Sequence, residues 1–135
     1  MAESRGLSCI VTAGDNRAAK AVYGESKVFL EIAGRPLVAR LVVILQQVPQ
    51  ISEVWVVGNR RRLEAVFSDE SLRAEIHKPL YLVEQGRSLL ENAWETFRRV
   101  ISRDPAKGRD PVGDERDTPI LYMSCLLYTS DAADE

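Results

Sequence analysis

A glycine and three cationic side chains follow the first apolar segment of the sequence. Residues 7–13 read LSCIVTA, Gly14 comes next, and Arg17, Lys20 and Lys27 lie in the polar stretch that follows. A glycine after a strand lets backbone N–H groups approach a ligand, and arginine and lysine bind phosphate oxygens. The pattern indicates a loop that binds a triphosphate. The alternative is a surface loop whose cations face water.

The other residues that often carry chemistry have structural interpretations. His77, the single histidine, has no nearby triad partner or ligand cluster in the sequence and is predicted to lie on the surface. Cys9 lies in an apolar run and is predicted to be a small buried side chain. Trp55 and Trp94 are predicted to lie in the core. The arginines of 60–62 are predicted to form a solvated helix face.

Apolar periodicity predicts strands that alternate with helices. The predicted strands are 7–13, 54–57, 80–83 and 119–123, each a buried strand or strand candidate, and the predicted helices are 36–48, 60–67 and 88–101. The polar segments 14–27 and 102–118 are predicted to be loops without elements. This alternation is typical of an α/β fold with a doubly wound, Rossmann-like, mostly parallel sheet, which binds ligands at the carboxyl ends of its strands.

Two helices have apolar stripes that predict their inward faces. The helix at 36–48, with Pro36 in its first turn, is expected to bury Leu37, Leu41, Ile44, Leu45 and Val48. In the helix at 88–101, Ser88 and Glu91 form an S-x-x-E capping box. This helix is expected to bury Leu90, Ala93, Trp94, Phe97 and Ile101.

Length and composition predict one soluble domain. The 135 residues are 45% hydrophobic and 28% charged, with a formal net charge of −2. The charge gives no general attraction to nucleic acid, and no apolar run approaches the roughly 20 residues that span a bilayer. We therefore expect a cytoplasmic protein with neither a nucleic-acid nor a membrane partner. Its oligomeric state is not predicted.

The last eleven residues, CLLYTSDAADE, break the preceding pattern. They match the translation of a sequencing-library transposase adapter. We therefore expect residues 1–124 to be a partial domain and 125–135 to be adapter-derived, so that Asp131 and Asp134 are not candidate metal ligands. A short native tail is the alternative.

The stretch from Lys27 to Leu37, KVFLEIAGRPL, resembles the segment of the nucleotidyltransferase superfamily with the molybdenum-cofactor guanylyltransferase-like fold in which a lysine is followed by G-[KR]-P-L. The segment 11–14, VTAG, is similar to the family's apolar-A-A-G. The resemblance extends over residues 7–124, and its specific core is 11–37. It implies an enzyme that transfers a nucleoside monophosphate from an NTP to a phosphorylated small molecule and releases pyrophosphate.

The resemblance also implies roles for individual residues. Lys27 would stabilise negative charge on the α-phosphate, and Arg17 would contact the β- and γ-phosphates. Gln85 would contact the base. The backbone that holds the phosphates would be that of Ala13, Gly14, Asp15 and Asn16.

The family's Mg²⁺ would bridge phosphate oxygens, held by an aspartate that follows the fourth strand. Because that position lies after Ser124, where the adapter-like residues begin, the chain itself is expected to be inactive.

Two departures from the family pattern keep other functions open. Asn16 replaces the second glycine of the usual G-x-G-x-R loop, and Ser26 replaces the proline that usually precedes the lysine. Lys20 is an alternative to Arg17 as the triphosphate contact. A nucleotide-binding or regulatory module that has lost transfer chemistry is the alternative function. A generic doubly wound domain is the third, although the dinucleotide-binding G-x-G-x-x-G is missing after the first strand.

Overall fold

The structure is a computed structural model that describes residues 6–14, 21–22 and 25–125. The strands of this part are β1 Leu7–Ala13, β2 Ala21–Val22, β3 Glu25–Ser26, β4 Glu31–Ile32, β5 Arg35–Pro36, β6 Ile51–Gly58, β7 Leu80–Glu84 and β8 Ile120–Ser124. The helices are α1 Leu37–Leu45, α2 Arg60–Val66, α3 Glu70–Arg73 and α4 Leu89–Ser102, with 3-10 turns at Lys27–Phe29 and Gly113–Asp117. None of the helices within these ranges is long and apolar enough to cross a lipid bilayer.

Four parallel strands form the central sheet, in the order β7-β6-β1-β8. The predictions of the first strand, of the strands at 54–57 and 80–83 and of the helix at 60–67 are confirmed, with small changes of bounds. Helices cover both faces of the sheet, since α1 packs on one set of alternating strand residues and α4 on the other. The predicted doubly wound, mostly parallel α/β fold is therefore confirmed.

The two faces of this sheet have cores of different size. On the face covered by α1, α2 and α3, which we call the α1 face, 15 buried apolar residues form one cluster that includes Cys9, Val11, Val54 and Val56. On the opposite face, covered by α4 and called the α4 face, six form the cluster: Ile10, Trp55, Val57, Val83, Phe97 and Val100. Strands β1 and β6 contribute to both clusters and lie at the centre of the fold.

The predicted inward face of α1 is partly correct, since Leu45 is buried and Leu41 and Val48 are half-buried against the core. The helix buries Val38, Ala39, Val42 and Leu45, whereas Ile44 is 60% exposed. Its sequence, LVARLVVIL, is apolar on almost every side, so periodicity alone does not select a face. The preceding β4–β5 hairpin fixes where the helix starts, because Leu37 N–H donates to the carbonyl oxygen of Leu30 at 2.9 Å. Pro36 is accordingly the N-cap, and the helix ends at Leu45 rather than at residue 48.

The predicted start of α4 is confirmed. Ser88 Oγ accepts a hydrogen bond from Glu91 N–H at 3.0 Å. Glu91 Oε1 accepts from the backbone N–H of Arg87 at 2.8 Å, one residue before the position usual in a capping box.

The predicted inward face of α4 is only partly correct. Phe97 is buried as predicted, but Leu90 is 80% and Trp94 48% exposed, so the prediction that Trp94 lies in the core is wrong. Asn92 and Thr96 are buried instead. The apolar stripe of α4 is wider than the sheet beneath it, because β8 is the outermost strand on that side of the described sheet.

The fourth strand, β8, forms as predicted but is not buried. Leu121 is 37% and Tyr122 49% exposed, since β8 pairs with β1 along one edge and the other edge has no strand beside it in the described ranges. An apolar sequence predicts a strand but does not say whether both of its edges and faces are covered.

A charged cluster joins α4 to the amino-terminal part of the sheet. The Glu53 carboxylate accepts two hydrogen bonds from the guanidinium of Arg103, both at 2.7 Å, and others from Ser8 Oγ and Trp55 Nε1. Burial alone would raise the pKa of Glu53, but these hydrogen bonds, with that of Arg103 the strongest, lower it to about 2. Arg103 ends α4 in a left-handed conformation, with φ of 62°.

Both segments predicted to be plain loops contain short elements. Strands β2 and β3 pair within 14–27, and the 3-10 turn Gly113–Asp117 lies within 102–118. Arg109 holds that turn through two hydrogen bonds to the carboxylate of Glu115, both at 2.8 Å, and Glu115 also accepts from Val112 N–H. These side-chain contacts stabilise a turn that local composition does not reveal.

Candidate functional site

The carboxyl ends of the central strands meet at one edge of the sheet, here called the carboxyl edge. Ala13 at the end of β1 is in register with Gly58 at the end of β6, and Gly58 with Glu84 at the end of β7. Gly14 and Gln85, the next residues after β1 and β7, therefore lie at the same edge, about 10 Å apart across two strand spacings. In open α/β sheets this edge is where ligands bind.

A close approach of two backbones defines the middle of the carboxyl edge. A Cβ atom placed on Gly58 would lie 2.4 Å from the carbonyl oxygen of Ala13. Only glycine fits there without displacing β1. The ends of β1 and β6 are therefore held close together.

Lys27 begins the 3-10 turn that leads toward α1. The next two residues, Val28 and Phe29, are 0% and 5% exposed and anchor the turn in the core of the α1 face, while Lys27 itself is half-buried. The guanidinium of Arg62, in the first turn of α2, lies over the Phe29 ring at 4.1 Å from its centroid. Because α2 begins directly after β6, this contact joins the Lys27 turn to the carboxyl edge.

A hairpin follows the Lys27 turn and contains the glycine of the A-G-R-P segment. Ala33 and Gly34 form its tip with φ of 54° and 86°, the left-handed conformation that a two-residue hairpin turn requires. The guanidinium of Arg40 on α1 donates to the carbonyl oxygens of Ile32 and Ala33. The hairpin is thus fastened to α1, and the turn before it is held from both ends.

The loop that carries Gln85 is fixed by hydrogen bonds to the start of α4. Gln85 N–H donates to the carbonyl oxygen of Gly58 at 2.8 Å, and Gly86 N–H donates to Oδ1 of the buried Asn92. Together with the capping bonds of Ser88 and Glu91, these contacts hold the backbone of residues 85–88 in one position beside β6.

The structure brings several of the predicted site residues to this region. Ala13, Gly14 and Gln85 lie at the carboxyl edge, and Lys27 lies on the turn joined to it by the Phe29–Arg62 contact. The other predicted residues, Asp15, Asn16 and Arg17, together with the alternative Lys20, lie outside the described residues.

Sequence reasoning missed two contributors to this region. Arg60 and Arg61 are exposed, as predicted for the arginine run, but Arg62 is half-buried against Phe29. Glu84 Oε1 accepts from the backbone N–H of Arg60 at 3.3 Å. Both contacts join residues more than twenty positions apart, and no local pattern in the sequence marks them.

The described residues do not form a metal site. No group of three or more histidine, cysteine, aspartate or glutamate side chains within residues 6–14 and 25–125 is arranged to hold a cation. Glu84, the carboxylate at the end of β7, accepts a hydrogen bond from the start of α2. The expected Mg²⁺ therefore has no ligand set in this part of the chain.

Burial disfavours the ionised form of both cysteine thiols. Burial raises the pKa of Cys9 to about 11 and that of Cys125 to about 12. Cys9 is fully buried, as predicted. Cys125 N–H donates to the carbonyl oxygen of Thr12 at 2.9 Å, so it extends the pairing of β8 with β1 by one bond.

A groove on another part of the molecule is less suited to a ligand. It lies between α3 and the first residues of β7, away from the carboxyl edge, and Lys78 lines it. The Lys78 ammonium donates to the carbonyl oxygens of Val48 and Ile51, so its hydrogen bonds are made within the protein rather than offered to a ligand. His77, its neighbour, is exposed as predicted, and its backbone N–H donates to Gln46 Oε1.

The fold is similar to that of a solved enzyme structure. The 4-diphosphocytidyl-2C-methyl-D-erythritol synthase of Anaerococcus prevotii aligns over 98% of this chain with a TM-score of 0.57 and 15% sequence identity. The chain spans about half of that protein, covering 52% of its length. No protein-family model matches the sequence, and no curated protein matches it. At this identity the likeness establishes the fold alone.

Proposed function

We propose that the carboxyl edge binds a nucleoside triphosphate and that the parent protein is a nucleotidyltransferase. In this reaction an oxygen of a phosphorylated small molecule attacks the α-phosphorus, the bond to the β-phosphate breaks, and pyrophosphate leaves. The observation that carries the proposal is the position of Lys27, on a turn anchored beside the strand ends where Gly14 and Gln85 lie. The similarity of the fold to a synthase whose name includes a cytidyl group supports the same class of chemistry.

Each residue has a distinct task in this proposal. The Lys27 ammonium neutralises charge that develops on the α-phosphate during displacement. Backbone N–H groups from Ala13 to Asn16 bind the phosphates, and Arg17, or Lys20 in its place, binds the outer two. Gln85 contacts the base from the fixed 85–88 loop.

In this proposal Mg²⁺ binds together with the NTP, through the NTP phosphates, because the described residues supply no ligand set of their own. We further propose that this chain binds NTP without turnover. The carboxylate that the family places after the fourth strand would follow Ser124, where residues 125–135 have the adapter-like sequence. We propose that residues 1–124 form the partial domain and that, within the superfamily, it is most similar to the molybdenum-cofactor guanylyltransferase type. The proposed location of the protein is the cytoplasm.

Equilibrium binding of four NTPs and of the matching nucleosides, measured by calorimetry with Mg²⁺ present, tests the proposal. Lys27→Met is expected to weaken NTP binding about 10-fold or more, because a charged hydrogen bond to phosphate is lost, and to leave nucleoside binding unchanged. Lys107→Met is the matched control, since Lys107 is exposed on the loop after α4.

Two outcomes would count against the proposal: no NTP binding at millimolar concentration, or equal NTP affinity in Lys27→Met and the unmodified chain. A longer parent protein that binds NTP but releases no pyrophosphate with any phosphorylated acceptor would indicate the alternative, a nucleotide-binding module without transfer chemistry.

A further inference from the structure

The side chains that anchor the Lys27 turn in the core are those of the two residues after Lys27. Val28 and Phe29 enter the core of the α1 face, and Lys27 precedes them at the start of the turn. A turn of three residues has few hydrogen bonds of its own, here Leu30 N–H to the carbonyl oxygen of Lys27 at 3.2 Å. The direction of the Lys27 side chain therefore depends on how firmly Phe29 is held.

Arg62 covers one face of the Phe29 ring. Its guanidinium carbon lies 4.1 Å from the ring centroid, within the range of a cation–π contact. The backbone N–H of Arg62 donates to Asn59 Oδ1 at 3.2 Å, and Asn59 is the residue after Gly58 at the end of β6. One residue thus connects the carboxyl edge to the Lys27 turn.

The neighbours of Arg62 do not share this role. Arg61 is exposed, and Arg60 forms an ion pair with Glu64 one turn further along α2. A planar guanidinium stacks on an aromatic face, which the ammonium of lysine does less well. The contact is therefore specific to the residue type and to position 62.

We propose that Arg62 is a positioning residue, which directs Lys27 toward the NTP phosphates by holding Phe29 against the first turn of α2. The inference rests on the proposed role of Lys27. Arg62 itself does not contact the phosphates in this arrangement, and its effect on binding passes through Lys27.

A double-mutant cycle in NTP binding tests this pathway. Arg62→Met is expected to weaken NTP binding about 5-fold and to leave nucleoside binding unchanged, and the Lys27→Met/Arg62→Met double variant is expected to bind NTP no more weakly than Lys27→Met alone. Arg61→Met removes the same charge from the same helix turn and is expected to bind like the unmodified chain. Arg62→Lys, which keeps the charge but not the planar group, is expected to fall between Arg62→Met and the unmodified chain.

A second measurement follows the Lys27 amine directly. After reductive methylation with ¹³C-formaldehyde, the dimethylamine signal of Lys27 is expected to shift on NTP addition in the unmodified chain and to shift less in Arg62→Met. If Arg62→Met only lowered stability, the molecules that remain folded would still show the full shift. Thermal unfolding of each variant measures the fraction that is folded. If Arg62→Met unfolds the chain, Arg62→Lys serves for both experiments.

The possible failures are distinguishable. Two results would overturn the positioning role while leaving the NTP site in place. One is additive losses of NTP affinity in the double-mutant cycle, and the other is an NTP-induced shift of the Lys27 signal that is as large in Arg62→Met as in the unmodified chain. Unchanged NTP binding in Lys27→Met would instead overturn the proposed function, on which this inference depends.

Discussion

The α1 face and the α4 face of one sheet are stabilised in different ways. The α1 face has a core of 15 buried apolar residues, reached by α1, α2, α3 and the Lys27 turn. The α4 face has six, under a single long helix whose end is held by the Glu53–Arg103 cluster. Precise placement of a side chain such as Lys27 requires a well-packed support, and the candidate site is attached to the larger core.

The α4 face also leaves apolar surface exposed. Trp94 stacks on Phe97 with ring centroids 5.7 Å apart and is still half exposed, and Tyr122 on β8 lines a surface groove together with these two rings. The central sheet residues are fully buried on both faces, for example Val11 on the α1 face and Ile10 on the α4 face, so the exposed apolar surface lies on α4 and on the edge strand β8. The comparison indicates that equal truncations on the two faces should have unequal effects.

Truncation of a leucine on each face should give the largest contrast. Leu63→Ala, on the α1 face where Leu63 is fully buried, is expected to lower the free energy of unfolding by about 3 kcal/mol through lost burial and a cavity. Leu90→Ala, on α4 where Leu90 is 80% exposed, should change it by less than about 0.5 kcal/mol. Urea unfolding of both variants measures the difference. Equal losses would mean that the α4 face is buried in solution.

Removal of the charged cluster should be the next largest effect. Arg103→Met leaves the buried Glu53 carboxylate without its strongest hydrogen bonds and is expected to cost about 2 kcal/mol at pH 7, less than a fully buried pair because Arg103 is half exposed. Arg73→Met, at an exposed arginine on α3, is the control and should cost little.

The same cluster predicts a pH dependence. The pKa of Glu53 in the folded chain is about 2, below its ordinary value of 4.5. Its contribution is therefore fully present above pH 4.5 and is lost as the pH falls toward 2. Unfolding free energies measured from pH 6 to pH 2.5 should fall less steeply in Arg103→Met than in the unmodified chain. An identical slope in both would show that Glu53 is not the titrating group.

A smaller effect of opposite sign is expected at Thr96. Its Oγ1 is the buried side-chain polar atom for which the described part of the chain offers no hydrogen-bond partner. Thr96→Val keeps the shape and removes the unpaired hydroxyl, so it should stabilise the chain by about 1 kcal/mol in thermal or urea unfolding. Thr96→Ser keeps the hydroxyl and loses a methyl group, and should destabilise it. A loss in Thr96→Val would indicate that a water molecule or another group pairs with the hydroxyl.

The exposed apolar groove should have the smallest effect on stability. It is lined by Trp94, Phe97, Arg116, Thr118, Ile120 and Tyr122. Trp94→Gln is expected to change the free energy of unfolding by less than about 0.5 kcal/mol but to reduce the binding of an apolar fluorescent dye. Ile44→Gln, at an exposed residue of α1, should not alter dye binding. Equal reductions in the two variants would remove the distinction between the faces.

The positions of the strands and helices were predicted from the sequence better than the faces that the helices bury. The apolar runs of β1, β6 and β7 mark strands because a buried parallel strand needs apolar residues on both faces. The S-x-x-E pattern marked the start of α4 because capping is a local interaction. The inward faces of α1 and α4 depend on the neighbouring hairpin and on the width of the sheet, which are tertiary features.

The location of a candidate site residue was predictable where it depends only on the position of the backbone in the fold. Gly14 and Gln85 follow strands, and the ends of parallel strands share an edge, so their common location follows from the alternation of elements. The Phe29–Arg62 contact was not predictable, because it joins residues 33 positions apart through a side-chain geometry that no spacing encodes. The roles of all the predicted site residues, Lys27 and Gln85 included, stay predictions.

The pairing of β1 with β8 has a consequence for how the chain is made. Thr12 Oγ1 donates to the carbonyl oxygen of Met123, 111 positions later. Strand β1 pairs with β8 in parallel from Ser8 to Thr12. Ribosomes add about 5 to 20 residues each second, so one edge of the central strand waits on the order of 10 s for its neighbour to be synthesised. During that interval the nascent chain presents an apolar strand edge, and the entropy of closing so long a loop delays its pairing further. Chaperone contact during translation is therefore expected to concentrate on β1.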